Sequence, residues 1–275
     1  MTVNLPLISL ASGILPGCDG PATARAAVDG GYRAVGLTVD PTVWTDTTTR
    51  EVNAIVADGS IEVLDVEVVV IQPGQAESPE SERIIDVGAA LGASHVLIVS
   101  DDPNPDNTKR AFEHLCRRAE QAGMRAVLEF LMIFQVNSLE AALEIVTDVA
   151  HPAGGVLVDA LHLQRCGHTP ADLEGLNAHL FPYMQLCDAP AKVAQADPTG
   201  YLADALDARM APGEAGLPLA DLLDALPAGI PLSLEVRSKH YRDSYPDFAA
   251  RGRAIREQTE RFLAGYLSNS RNLKG

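Results

Sequence analysis

The chain is short of positive charge, of cysteine and of long apolar runs. It has 21 Lys and Arg against 37 Asp and Glu, a formal charge of −16 over 275 residues. Such a surplus repels phosphate backbones and anionic lipid, so nucleic acid is not an expected partner. The four cysteines, Cys18, Cys116, Cys166 and Cys187, show no C-x-x-C spacing. They read as reduced thiols, and a chain of this length buries roughly three quarters of its unfolded surface without needing disulfides. No stretch approaches 18 uninterrupted apolar residues, which excludes a spanning helix. The first twenty residues lack a basic n-region and are broken by Pro6 and Gly13, which argues against a signal peptide. The expectation is a cytoplasmic protein with no membrane partner. No linker rich in Ser, Pro or charge divides the chain, so one domain over residues 1–275 is expected.

What the sequence does have is a repeating rhythm. Apolar runs at 8–12, 32–39, 61–73, 95–100, 124–130, 154–160, 183–189 and 230–236 read as strands, with helical patterns between them. Ser78-Pro79 opens one helix and Gly92 closes it, while Asn137 or Ser138 caps another. Strand–crossover–strand units impose a parallel sheet, and eight of them in this length predict a single (β/α)8 TIM barrel. A doubly wound sheet is the alternative, since periodicity cannot show closure. One spacing is irregular. Roughly 40 residues separate the seventh and eighth strands, and long loops in compact domains are usually functional.

Carboxyl ends of barrel strands meet at one mouth, where active sites form. There the sequence places Glu129 on strand five, Asp159 on strand six, Gln185 and then Asp188 on strand seven, and Glu235 on strand eight. A charge inside an apolar strand costs several kcal/mol unless it is paired or bound to a cation. Several converging carboxylates with few basic neighbours point to a divalent metal. Glu67 on strand three is a further inward candidate without an assigned role. Arg165 and His168, and Arg237, Lys239, His240 and Tyr241 after strand eight, are within reach of the mouth.

The segments GVLVDALHLQRCGHTPADL, MQLCDAP, RMAPGEAGLPLADLLDAL and PLSLEV resemble the xylose isomerase-like barrel superfamily. The resemblance is specific over residues 124–240 and loose before them. It implies one divalent ion held by Glu129, Asp159, Gln185 and Glu235. Manganese comes first for such an oxygen-only shell, with magnesium or cobalt as alternatives. It further implies that His162, the histidine of Asp-x-x-His, contacts substrate, and that Arg209 and Glu214 lie over it. Glu129 and Glu235 would act as base and acid, with His162 in reserve, on a small sugar or polyol-derived substrate. The expected activity is a sugar, keto-sugar or sugar phosphate isomerase or epimerase working through a metal-stabilised enediolate. A dehydratase of the 3-dehydroshikimate or inosose type is the alternative. An AP endonuclease is disfavoured by 7 histidines and by the charge of −16. The resemblance also suggests a homo-oligomer.

Overall fold

The computed structural model describes residues 5–272. Eight parallel strands close into a barrel in sequence order: β1 (Ile8–Leu10), β2 (Ala34–Thr38), β3 (Glu62–Ile71), β4 (His95–Ser100), β5 (Arg125–Glu129), β6 (Gly154–Asp159), β7 (Met184–Leu186) and β8 (Leu232–Leu234). β1 pairs with β8, Ser9 opposite Ser233, so the sheet has no edge, as the eight-unit rhythm predicts.

Around it run α1 (Gly20–Gly30), α2 (Asp46–Gly59), α3 (Pro79–Leu91), α4 (Pro105–Gln121), α5 (Leu139–Val149), α6 (Ala160–Arg165), α7 (Pro198–Asp207), α8 (Leu219–Ala225), α9 (Lys239–Ser244) and α10 (Phe248–Asn272). Their boundaries follow local chemistry. The Ser78 hydroxyl accepts from the Ser81 amide to start α3, and Gly92 ends it at φ 65°. Ser138, rather than Asn137, caps α5. The stretch TPADLEGLNAHL after β6 forms no α-helix. The helix starts at once as α6, and 3-10 turns at Pro170–Leu173 and Ala178–Leu180 follow.

The main core lies between strands and helices, including Leu10, Leu37, Phe112, Leu128 and Ile255. A smaller apolar cluster of Ala34, Leu64, Leu97, Val127, Leu157 and Tyr183 fills the barrel interior. Period-two alternation then sets the mouth. Glu129 points the same way as Val127, Asp159 as Leu157, and Gln185 as Tyr183. The β3 run breaks that alternation twice, once against β2 and again between Val66 and Val69 against β4. Its pairing with β2 passes from Val35 opposite Val63 to Gly36 opposite Asp65, skipping Leu64. This irregularity turns Asp65 inward, where a Cβ on Gly36 would stand 2.8 Å from its Oδ1. Among the described residues no helix is long and apolar enough to cross a membrane.

Candidate functional site

Glu129, Asp159, Gln185 and Glu235 stand at or just beyond the carboxyl ends of β5 to β8, and all four are buried. Asp159 is pinned from two sides. One oxygen, Oδ1, caps α6 by accepting from the Leu161 and His162 amides at 2.8 and 3.0 Å. The other, Oδ2, accepts from Arg209 at 2.6 Å. That short helix turns His162 back over the strand end, so one donor atom each from Glu129, Asp159 and His162 lies within 4.8 Å of the others. An ion binding its ligands at about 2.0–2.6 Å can be shared by atoms so spaced. Gln185 joins the group: its amide end faces Asp159 Oδ2 and Glu129 Oε1, each at 3.2 Å. Turned so that its nitrogen faces them it donates to both, whereas its oxygen facing them needs a cation or a carboxyl proton between.

Glu235 sits apart from that triplet. Its carboxylate lies against the bare Cα of Gly13, where an added Cβ would fall 2.1 Å from Oε1. Its Oε2 is buried with no hydrogen-bond partner among the described residues, as are both oxygens of Asp65. Glu67 completes the ring of acids, accepting from Ser12 and, at 3.0 Å, from Thr38. Unpartnered buried carboxylate oxygens beside a three-donor cluster fit a cation.

Charge in the site follows from this crowding. Burial and the Asp159 carboxylate raise the Glu129 pKa well above the ordinary range. Burial and Glu67 push Glu235 up to about 7, and burial, Glu67 and Glu235 raise Asp65 strongly. Asp159 goes the other way: burial disfavours its charge, but Arg209 and His162 hold its pKa below the usual value. Burial lowers His162 to about 4, leaving a neutral ring.

The other expected residues make contacts of their own in the fold. Arg209 reaches the mouth residues themselves. The long β7–β8 segment delivers it into the interior, 3% exposed, where it pairs with Asp159 and reaches His162 Nε2 at 3.2 Å. Glu214 is exposed, accepting from the Tyr241 hydroxyl at 3.0 Å and the Ala211 amide at 3.1 Å. His162 adds a ring nitrogen to the donors gathered there, beyond the oxygen donors expected. Asp188 falls beyond β7, and its oxygens gather the Gly213, Ala215 and Leu217 amides, shaping the long segment instead of the mouth. Arg165 is buried in a pair with Asp204 at 2.6 Å, and His168 accepts from the Leu139 amide. Asp65 is the buried acid that sequence reasoning missed; only the register shift turns it inward.

Solved structures share this architecture at low identity. A xylose isomerase-like TIM barrel/4-hydroxyphenylpyruvate dioxygenase fusion protein superposes with TM-score 0.75 at 20% identity, over 95% of this chain. This chain spans only 44% of that protein's length. The IolI protein, whose crystal structure carries a bound zinc atom, gives 0.73 at 17% identity, over 95% of this chain and 98% of its own. The probable 3-DHS dehydratase AsbF of Bacillus anthracis, involved in petrobactin synthesis, gives 0.65 at 15%, over 90% and 98%. No curated protein matches the sequence. A family description for xylose isomerase-like TIM barrels matches residues 24–264. That span runs from within α1 to within α10 and takes in every strand after β1. The chain therefore belongs to the xylose isomerase-like TIM barrel family.

Proposed function

We propose that the protein is a divalent-metal-dependent isomerase or epimerase of a small sugar or keto-sugar, moving a proton next to a carbonyl. The observation that supports this most is the pair of buried, raised carboxyls, Glu129 and Glu235, on either side of the Asp159–Gln185 stretch of the rim. The residues that would hold the ion are Glu129, Asp159 and His162, with Gln185 beside them and Glu235 set apart as an acid–base group; manganese is the ion proposed. When bound, it would polarise the substrate carbonyl and stabilise the negative charge that forms there.

The chain's own groups supply the proton transfers. Glu235, with a pKa of about 7, exists in both protonation states near neutrality, as a group that takes and returns a proton must. Glu129 faces it across the rim as the second acid–base group. The one lone pair of neutral His162 accepts from Arg209 at Nε2, so an ion bound there would take the place of that contact. Arg209 keeps Asp159 ionised and thus able to bind a cation.

Proton return to the neighbouring carbon makes an isomerase, and return to the opposite face makes an epimerase. Loss of a β-hydroxyl would instead make a dehydratase, a reading supported by protonated Glu235 as a donor to the leaving group and by likeness to AsbF. The test is a panel of ketoses, inososes and 3-dehydroshikimate with Mn²⁺, followed by NMR in D₂O. Deuterium beside the carbonyl is expected, with an isomerised or epimerised product for the first reading and a new alkene for the second. Glu129→Gln and Glu235→Gln should each lower turnover by roughly 10²–10⁴-fold or more. Absence of exchange from every substrate would refute both readings.

A further inference from the structure

Beside the mouth, on the β1–β2 side, lies a cavity of about 630 Å³. Its walls include Gly13, Trp44, Asp19, Asp40, Glu51 and Arg237. Gly13 ties it to the acid–base pair, because the Glu235 carboxylate rests on that glycine. The acids on its wall are engaged or outward. Asp19 caps α1 through the Ala22 amide, Asp40 accepts from the Thr42 amide and hydroxyl, and Glu51 is exposed.

Arg237 is different. It is half-buried two residues after Glu235, and among the described residues it makes no ion pair and its buried Nε has no hydrogen-bond partner. The neighbouring Glu235 carboxylate acts on this guanidinium through its charge, yet among the described residues no carboxylate or carbonyl bonds to it. A planar fork of donors with an unused buried N–H is suited to a carboxylate, which it can grip through two parallel bonds. A phosphate dianion suits it less, because Asp19, Asp40 and Glu51 line the same cavity and one arginine supplies too little charge to outweigh them.

We infer that Arg237 is the anchor for a substrate carboxylate, so that the molecule turned over at the mouth is a small polyhydroxylated acid rather than a neutral sugar. This rests on the proton-transfer reading for the word "substrate", but its test does not need turnover.

The experiment is calorimetric titration of the Mn²⁺-loaded protein with three six-carbon probes: D-gluconate, D-glucitol and D-glucitol 6-phosphate. Gluconate should bind at least about ten-fold tighter than glucitol, the size expected of a charge-assisted contact. Arg237→Gln should erase that gap while leaving glucitol affinity within about two-fold. Arg237→Lys, which keeps the charge and loses the fork, should restore part of it. Thermal melting of each variant checks that the fold persists. A gap that survives in Arg237→Gln would assign the carboxylate to the metal and overturn the inference. Equal binding of gluconate and glucitol, or a preference for the phosphate, would overturn it as well. Failure of deuterium exchange with intact Arg237-dependent gluconate binding would defeat the proton-transfer reading alone.

Discussion

At the residue scale, the decisive feature is one arginine set among buried acids. Arg209 and Asp159 are both fully withdrawn from water, and removing one member of such a pair costs about 3–5 kcal/mol because the other charge is stranded. Arg209→Met should therefore lower the melting temperature of metal-free protein, and Mn²⁺ should recover part of the loss by replacing the missing positive charge. A variant as stable as the parent in chelator would show that Asp159 does not depend on Arg209. Glu235 gives a second prediction. Its folded pKa, about 7, lies above its ordinary value of 4.5, so the fold binds more protons than the unfolded chain between those values. Its contribution to metal-free stability is then complete below about pH 4.5 and is lost as pH rises through about 7. Glu129 and Asp65 shift the same way and Asp159 the opposite way, so the share of Glu235 is read as a difference. Denaturant melts of parent and Glu235→Gln across pH 4–8 should show a shallower decline in the variant; equal slopes would contradict the raised value.

At the scale of elements, the strands were legible because parallel barrel strands are nearly continuous apolar runs bounded by caps and glycines. Glu129, Asp159, Gln185 and Glu235 were legible for the same reason: each is a polar break in such a run, and period two places them together. What was hidden depends on pairing and on loops. Asp65 reads as outward by simple alternation from Val63, and only the skipped Leu64 reverses it. Arg209 lies in a segment with no strand pattern, positioned by the amides that Asp188 gathers. Gly13 carries no signal in sequence, yet Glu235 lies where a side chain would be. Gly13→Ala should consequently displace that carboxylate, which is flexible enough to move, while the 3-10 turn at Ser12–Ile14 keeps its backbone. The expected result is a large loss of turnover with a melting temperature within a few degrees of the parent. Unchanged turnover would mean that the position of Glu235 against Gly13 is unimportant.

At the scale of the whole molecule, a closed barrel does what no single element can. It brings Glu67, Glu129, Asp159 and Glu235 from four strands to one mouth, in a chain that already carries a charge of −16. Concentrating like charges there opposes folding, and a bound cation relieves it; any ligand that binds only the folded state raises stability as its concentration exceeds its Kd. Binding of that cation can be measured without knowing the substrate. The most direct measurement is calorimetric titration of Mn²⁺ into chelator-stripped protein, alongside Glu129→Gln and Asp159→Asn. The carboxylate cluster predicts one ion per chain in the parent and at least about ten-fold weaker binding in each variant. No binding to the parent, or the same affinity in both variants, would contradict a metal centre at the mouth.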